Sequence, residues 1–321
     1  MGPFTVLISS AGRRVSLLRT FREACEAAGV PGRVIACDLT DLTPAMRVAD
    51  DRFLVPRCDS PEFVPAVTAL CETQRVGLVV PTIDTELPVW ARLREQLARA
   101  GTTVAVSSPE TVGVAADKSA TNAHCRAANI HVARQATPSV VSAARSTWRL
   151  PLVVKPRRGS ASAGLRIVRT WAEFDGLTGD DLIVEEFLDG VEYTVDVFVD
   201  RGGEVHRPVV RRRLEVRAGE VSKARVVRDD QLASLAAKVV ETLPGAYGCL
   251  NVQIISDGAD AGIVEINARF GGGYPLTWRA GGRYSEWLVR EIAFGEKPPA
   301  DPPIEYGLTM LRWDEEVLIR D

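Results

Sequence analysis

The chain has 321 residues, of which 46% are hydrophobic and 25% are charged, and its net charge is −3. A chain of this length can form two or three compact lobes, and this composition excludes disordered and fibrous proteins. The arginines are scattered along a chain with almost no net charge, so a nucleic-acid partner is not expected.

The amino-terminal residues lack a basic segment followed by a long apolar core, and no apolar run approaches the ~18 residues of a membrane span. We therefore expect a cytoplasmic protein with no membrane partner. The six cysteines include no Cys-x-x-Cys pair and are expected to be reduced and buried. With only three histidines in the chain, a zinc site is not expected, so any metal should be bound by oxygen.

The first part of the chain alternates strand and helix patterns. Residues 4–8 form an apolar strand pattern, a short polar loop follows, and apolar residues then recur at helical spacing as far as Gly29. A second strand pattern, residues 34–38, ends in a carboxylate. Further alternation predicts an N-terminal doubly wound α/β domain over residues 1–112.

Two features of this domain bear on ligand binding. The loop after the first strand has the position of a dinucleotide-binding loop, but that fingerprint needs three spaced glycines and residues 9–16 contain only Gly12. NAD binding is therefore the less favoured interpretation. Asp84 follows the strand pattern at residues 77–81, where it could touch a ligand in the sheet crevice, although capping of the next helix explains it as well.

Two lysines lie at places where an anion would stabilise them. Lys118 stands near the start of a helix pattern, where a positive charge opposes the helix dipole. Lys155 lies within an apolar strand pattern and precedes the loop at residues 157–164, whose small residues would let backbone N–H groups close around phosphate oxygens. This is not a Walker loop, because there the lysine follows the glycines and leads into a helix. A mobile hairpin tip would explain the small residues but not the lysine, so we predict phosphate binding.

Residues 249–255 and 263–268 predict a β-hairpin with one chemical face. Side chains alternate across a strand, so Glu265, Asn267 and Arg269 share one face. Oxygen donors beside a guanidinium suit a site that holds Mg²⁺ against a polyphosphate. An ordinary hairpin with one solvated face is the alternative.

The register of this hairpin would decide which residues face one another. If it is symmetric about Ala259, Gln253 lies opposite Glu265 and Asn251 lies opposite Asn267. Both strands would then direct oxygen-bearing side chains into one place.

Residues 211–225 predict two charged strands joined by a turn. A solvated basic hairpin is one interpretation, since surface arginines are common. The other is that one or two of its cations point into a cleft and bind a carboxylate, for which a guanidinium fork is suited. The full set of candidate substrate residues is Asp84, Arg211, Arg213, Lys223, Arg225, Tyr274 and Arg279.

These motifs, taken in order, resemble the ATP-grasp superfamily in its carbamoyl-phosphate-synthase-like carboxylate–amine ligase branch. The residues that carry the resemblance are Lys118, Lys155 and its loop, the segment 185–188, Glu192, Asn251, Gln253, Glu265, Asn267 and Arg269. It covers residues 113–298, and the opening unit resembles the pre-ATP-grasp domain of that superfamily. It implies a two-subdomain α+β fold divided at 113–182 and 183–298, followed by a tail, 299–321, packed on the ATP-grasp domain.

The resemblance also implies roles for individual residues. The residues that would bind ATP are Lys118, Lys155, Gly159, Ser160, Ala161, Gly164, Glu185, Phe187, Leu188 and Glu192. Among them, the lysines would contact phosphates, and Glu192 would bind the ribose. Glu185, Phe187 and Leu188 would form the adenine hinge. One or two Mg²⁺ ions, for which Mn²⁺ can substitute, would be held by Gln253, Glu265 and Asn267. Arg269 and Lys155 would be the catalytic residues, with Arg269 facing the transferred phosphoryl group.

The activity implied is phosphorylation of a carboxylate to an acyl phosphate, which an amine attacks to give an amide, ADP and phosphate. In-line phosphoryl transfer needs positioned cations and metals rather than a protein nucleophile, and no Ser/His/Asp or Cys/His constellation is evident in the sequence. The implied partners are a small carboxylate, such as an amino acid or short peptide, and an amine; a homodimer is left open.

Two other functions stay open at this point. One is a bicarbonate-activating fragment of a larger synthetase, which is less favoured because the catalytic set of a biotin-type carboxylase cannot be located in the sequence. The other is a non-catalytic nucleotide-binding module, against which the full set of metal ligands and both lysines argue.

Overall fold

A computed structural model describes residues 3–159, 163–217 and 219–320. The amino-terminal part forms one parallel sheet in the order β3-β2-β1-β4-β5. Its strands are β1 (Phe4–Ser9), β2 (Gly32–Asp38), β3 (Arg52–Leu54), β4 (Val76–Pro81) and β5 (Thr103–Val104). Its helices are α1 (Val15–Ala27), α2 (Pro44–Val48), α3 (Phe63–Thr73) and α4 (Leu87–Arg99). The predicted doubly wound domain is confirmed.

The central strand of this sheet shows why the chain folds as a layered domain. Val6, Leu7 and Ile8 of β1 are all fully buried. Leu7 packs into one apolar core, whereas Val6 and Ile8 pack into a second core on the other face. A strand with helices on both sides therefore reads as a continuous apolar run rather than an alternating one.

The next part of the chain builds a small antiparallel sheet in the order β6-β9-β7-β8. It is preceded by α5 (Pro109–Ala115) and α6 (Lys118–Ala127). Its elements are β6 (Gln135–Ala136), α7 (Pro138–Ala143), β7 (Leu152–Pro156), β8 (Arg166–Val168), α8 (Trp171–Phe174) and β9 (Leu182–Glu186). A separate core around Trp148 and Phe174 supports it.

The last part forms an antiparallel sheet in the order β14-β13-β10-β11-β12-β15. Its strands and helices are α9 (Asp230–Glu241), α10 (Tyr274–Arg279), α11 (Tyr284–Phe294), β10 (Val191–Val199), β11 (Val205–Arg217), β12 (Glu220–Val226), β13 (Gly248–Ser256), β14 (Ala261–Asn267) and β15 (Thr309–Leu311). Strand β15 lies in the carboxyl-terminal tail and pairs with β12. The division of the chain at residues 112, 182 and 298 stays a prediction, and residue 112 falls within α5.

The predicted register of the β13–β14 hairpin is confirmed where it matters for the site. Gln253 pairs with Glu265 and Asn251 with Asn267. A bulge lies just beyond Gln253, so the pairs nearer the turn are shifted by one residue. Because the bulge lies on the turn side, the oxygen-bearing residues stay opposite one another. Among the described residues, no helix is both long and apolar enough to cross a membrane.

Candidate nucleotide and metal site

One face of the six-stranded sheet carries the predicted metal ligands. Because paired residues point to the same side, Gln253, Glu265 and Asn267 share this face with Asn251. Thr194 of β10 pairs with Gln253 and therefore also lies on this face. We call this the site face.

The oxygens of this set are available to a ligand. Within the described residues, the side chains of Gln253 and Glu265 accept no hydrogen bond and form no ion pair. The side-chain oxygen of Asn267 accepts only a 3.3 Å bond from Arg269. Two carbonyl oxygens and a carboxylate, of which only the Asn267 oxygen accepts a hydrogen bond within the described residues, are the hard donors that Mg²⁺ prefers, so the residues present fit this ion.

Glu265 lies in the field of the other predicted site residues. Burial raises the pKa of its carboxyl, and the positive charges of Lys118, Lys155 and Arg269 oppose that shift. Their joint effect shows that segments distant in sequence converge on Glu265. A bound divalent cation would favour the ionised form for the same electrostatic reason.

Lys155 is held in a buried ion pair. Its side chain projects from β7, is 4% exposed, and lies 2.7 Å from Glu185 on the neighbouring strand β9. The other carboxylate oxygen of Glu185 accepts a 2.9 Å hydrogen bond from Gln135. The pairing orients the ammonium group and explains how a lysine is tolerated inside an apolar strand.

Lys118 is placed by the start of α6. Asp117 caps this helix by accepting from the backbone N–H of Ser119 at 2.9 Å, and it also pairs with Arg157 at 2.7 Å. The Lys118 ammonium donates to the backbone carbonyl of Gly159 at 2.7 Å. The capped helix start and the loop after β7 are therefore joined around this lysine.

The loop after β7 needs glycine at both of its described ends. Gly159 has φ +115° and Gly164 has φ +75°, a region that other residues rarely adopt. Ser160 and Ala161, both predicted to bind nucleotide, lie outside the described residues.

The predicted adenine and ribose residues follow β9. Phe187 is 39% exposed, so part of its ring is accessible to a planar ligand. Leu188 packs against Gly262, where any side chain would meet it within 2.7 Å. Glu192 forms an ion pair with Arg213 across β10 and β11. The carboxylate predicted to bind ribose is therefore paired with an arginine predicted to bind substrate.

Arg269 is oriented by a residue from the amino-terminal sheet. Its Nε and Nη2 atoms donate to the two carboxylate oxygens of Asp84, each at 2.7 Å. Asp84 follows β4, so the predicted position at the sheet crevice is confirmed while its partner is a protein side chain. The side chain of Arg269 is only 12% exposed, and this pair fixes it beside Asn267.

Arg211 lies on the site face, as predicted for a substrate residue, but it is a buried structural cation. It is 1% exposed and donates to both carboxylate oxygens of Asp196, which also accepts from Thr277. The prediction that it binds a substrate carboxylate is not supported, because its fork is already used by a buried acid.

Two other predicted substrate residues lie on the wrong face. Arg225 pairs with Arg212, whereas Arg211 pairs with Val226, so Arg225 and its strand neighbour Lys223 point away from the site face. Both are exposed, and Lys223 forms a 2.6 Å ion pair with Glu215. The prediction that Lys223 and Arg225 bind a substrate carboxylate is therefore not supported, because the register of β11 and β12 turns both side chains to the opposite face.

Tyr274 and Arg279 of α10 also do not line the site. Tyr274 is fully buried, and its hydroxyl lies 3.1 Å from that of Ser285 in the apolar core. Arg279 is on the outer surface, paired with Glu23 of α1 at 2.7 Å. A helix begins immediately after the glycines at 271–273, so its first turn enters the core instead of the cleft.

The sequence analysis missed residues that border the site from both ends of the chain. Arg14 precedes α1, and Glu220 and Arg312 form a 3.0 Å hydrogen-bonded pair next to Gly272. Glu86 is fully buried where β4 ends and accepts hydrogen bonds from Ser9 and Ser10. The sequence feature that could have identified Glu86 is a carboxylate within residues 82–87, directly before an apolar helix pattern.

Two family models match parts of the chain. Residues 6–105 match the model described as the PylC-like N-terminal domain. Residues 178–315 match the model described as ATP-grasp in the biosynthetic pathway with Ter operon. The chloroplastic phosphoribosylamine–glycine ligase of Arabidopsis thaliana is 29% identical over 165 residues, which is 47% of this chain and 30% of that relative. The aligned part thus spans less than a third of the relative's length.

Solved structures share the fold across nearly the whole chain. The biotin carboxylase domain of the Hydrogenobacter thermophilus 2-oxoglutarate carboxylase has a TM-score of 0.75 at 17% identity, covering 96% of this chain and 74% of that one. The L-amino acid ligase of Bacillus licheniformis has a TM-score of 0.71 at 16% identity, covering 92% and 75%. The N5-carboxyaminoimidazole ribonucleotide synthetase of Thermotoga maritima has a TM-score of 0.68 at 18% identity, covering 96% and 79%. Residues 178–315 therefore match an ATP-grasp model, and nearly the whole chain has the fold of these solved structures.

Proposed function

We propose that this protein is an ATP-dependent carboxylate–amine ligase that forms an amide or peptide bond through an acyl phosphate and releases ADP and phosphate. The observation that carries the proposal is the set of oxygens of Gln253, Glu265 and Asn267 on the site face, which accept a single 3.3 Å hydrogen bond within the described residues and lie in the field of two lysines and an oriented arginine. A module that only binds nucleotide has no need of such a set beside a fixed guanidinium.

The proposed roles follow from the contacts. Lys118 and Lys155 bind phosphates of ATP, and their present partners, a carbonyl and a carboxylate, show that both ammonium groups are directed by the protein. Gln253, Glu265 and Asn267 would hold Mg²⁺, which would supply positive charge against the phosphates. Arg269 is held by Asp84 and presents its remaining donor to the oxygens of the transferred group. None of these steps requires a protein nucleophile.

The relatives support a ligase and differ in the acid that they use. The names printed for them include a glycine ligase and an L-amino acid ligase, and the Hydrogenobacter thermophilus domain was solved with ADP and bicarbonate. We propose a small carboxylate, such as an amino acid or short peptide, and an amine as the substrates of this protein.

Trapping of the acyl phosphate tests the proposal with the acid alone. The purified protein is incubated with ATP, Mg²⁺, hydroxylamine and single amino acids or short peptides, and hydroxamate and ADP are measured. We expect one acid or a small group of acids to give equal amounts of both products, because hydroxylamine replaces the amine.

Two control arms separate the alternatives. ADP release that depends on bicarbonate and gives no hydroxamate with any organic acid would point to a bicarbonate-activating enzyme. Tight ATP binding with no ADP release under any condition would point to a non-catalytic module. Glu265→Gln serves as the matched inactive variant in both arms, since it removes a metal-binding charge without changing side-chain size.

A further inference from the structure

Arg14 is a partly buried cation whose side chain is only weakly bonded to the rest of the protein. Its one hydrogen bond within the described residues is a long one, 3.4 Å from Nη2 to the carbonyl of Thr82, and it forms no ion pair in the part of the chain that the structure describes. Burial, and next the nearby charge of Arg269, lower the pKa of this guanidinium to about 10. A charge in this position costs stability unless something pairs with it.

Arg14 belongs to a cluster in which the other charges are already matched. Arg269 is paired with Asp84, and Arg312 is paired with Glu220 at 3.0 Å. Arg269 and Arg312 lower the pKa of Arg14, as like charges would, whereas Glu220 and Asp84 raise it. Glu220 lies near Arg14, but its ion pair within the described residues is with Arg312, so Arg14 is the arginine of this cluster that has no ion pair there.

Gly272 lies next to Arg14, Glu220 and Arg312. A side chain placed there would have its Cβ atom 3.1 Å from Nη1 of Arg14 and 3.5 Å from the carboxylate of Glu220. Arg312 donates to the backbone carbonyl of the same glycine. Because residue 272 has no side chain, Nη1 of Arg14 is not covered by a Cβ atom at this position, which lies next to Arg312 and three residues after Arg269.

The loop that carries Arg14 is held in place before any ligand binds. Gly12 donates its backbone N–H to Asp38 at 2.7 Å, and the hydroxyl of Ser10 donates to the buried carboxylate of Glu86 at 3.0 Å. Thr82 donates its hydroxyl to the Ser10 carbonyl at 2.7 Å. A loop fixed by two acids presents its arginine in one orientation, which lowers the entropy cost of binding.

The start of α1 adds to the same field. Arg14 is the residue that precedes this helix, no side chain caps it, and its first turn contains no acidic residue. A positive side chain beside the positive end of a helix dipole is unfavourable, and an anion would relieve both. We propose that Arg14, assisted by Arg312, binds an oxyanion of the non-nucleotide substrate over Gly272, at a position separate from the group that is phosphorylated.

The inference that this anion belongs to a substrate rests on the proposed ligase function, and it adds that the substrate carries a second anionic group. A carboxylate and a phosphate monoester share the required chemistry, since both accept paired hydrogen bonds from a guanidinium. Succinate and inorganic phosphate are therefore used as separate probes of the two sources.

The test measures the thermal stability of the full chain during titration with each probe, without nucleotide. Arg14→Met removes the charge and keeps an apolar stem, and the neighbouring exposed Arg13→Met is the matched control. We expect at least one probe to raise the Tm of the parent and of Arg13→Met, with a half-saturating concentration at least tenfold higher in Arg14→Met. Without a probe, the Tm of Arg14→Met should equal or exceed that of the parent, because an unmatched charge is removed.

Each other outcome overturns the inference. It is wrong if neither probe stabilises the parent, if Arg14→Met and Arg13→Met respond alike, or if Arg14→Met lowers the Tm without ligand, since Arg14 is then a structural residue. Arg14→Lys, which keeps the charge and loses the fork, guards against a folding defect and should restore part of the response. Loss of Mg²⁺–ATP affinity in Arg14→Met would also overturn it, by placing Arg14 at the nucleotide.

The result is independent of the ligase assay. If the protein forms no hydroxamate but loses anion binding when Arg14 is replaced, the proposed function is rejected and the anion site is retained. If the protein forms hydroxamate but its response to both probes does not depend on Arg14, the anion site is rejected and the proposed function is retained.

Discussion

Asp84 and Arg269 are 185 residues apart in the chain and form a two-point ion pair, with both N–O distances at 2.7 Å. Asp84 comes from the end of a strand in the parallel sheet, and Arg269 follows β14 of the six-stranded sheet. The pair therefore ties the orientation of a proposed catalytic guanidinium to a domain that supplies none of the proposed nucleotide contacts.

We expect Asp84→Ala to lower kcat for ADP release by roughly 10- to 100-fold with little change in KM for ATP, because Arg269 loses its orientation and not its charge. Steady-state kinetics with the acid found by hydroxamate trapping measures both constants. Thr85→Ala, an exposed neighbour, is the control and should match the parent. An unchanged kcat in Asp84→Ala would show that the pair only joins the two sheets.

Glu265→Gln should lower turnover by at least about 100-fold while the fold survives, because a metal-binding charge is removed from a side chain that forms no hydrogen bond or ion pair with the residues the structure describes. ADP release and circular dichroism measure the two properties. Asp257→Asn, in the turn of the same hairpin, is the control. ADP formation at the parental rate in Glu265→Gln would contradict the assignment of the metal ligands.

Arg211→Ala should destabilise the protein by about 3–5 kcal/mol, because Asp196 would be left as an unpaired buried charge. Urea unfolding measures this change. The control is Arg212→Ala, whose side chain is exposed on the opposite face of the same strand, and it should not change stability measurably. A stable Arg211→Ala variant with a raised KM for the acid would restore the original prediction that Arg211 binds substrate.

The pH dependence of the free energy of unfolding should include a contribution from the protonation of Glu86. Burial raises the pKa of its carboxyl above the ordinary value, although five groups donate hydrogen bonds to it. The folded protein then binds a proton that the unfolded chain has released, so the contribution of Glu86 to stability falls as pH rises from its ordinary pKa towards the raised one. The free energy of unfolding, measured against pH above 4.5, should decline less in Glu86→Gln than in the parent. Identical slopes would contradict this.

Local pattern predicted the parts of the site that depend on one or two adjacent strands. The alternation of β14 and its pairing with β13 placed Gln253, Glu265 and Asn267 together, because side-chain direction has a period of two and the two strands are neighbours in sequence. The helix start at Lys118 was likewise a local property.

Pairing between distant segments could not be predicted in the same way. Arginine is a residue type that often binds substrate carboxylates. Only the packing of β10 beside β11 shows that the guanidinium of Arg211 is already paired with Asp196. Arg14 and Arg312 lie almost 300 residues apart on either side of Gly272, and no periodicity links them. The direction of Lys223 was also beyond local pattern, because the register of β11 and β12 shifts twice between Arg213 and Val216.

The buried carboxylate of Glu86 lies beneath the loop that leads to Arg14, and Asp38 holds the same loop from the adjacent strand. A change in either acid would move the loop without touching any ligand. Libraries built to alter substrate choice by laboratory evolution should therefore include these two interior positions, together with the residues that line the cleft. Natural relatives could diverge in specificity by the same concealed route, through substitutions that a comparison of cleft residues alone would overlook.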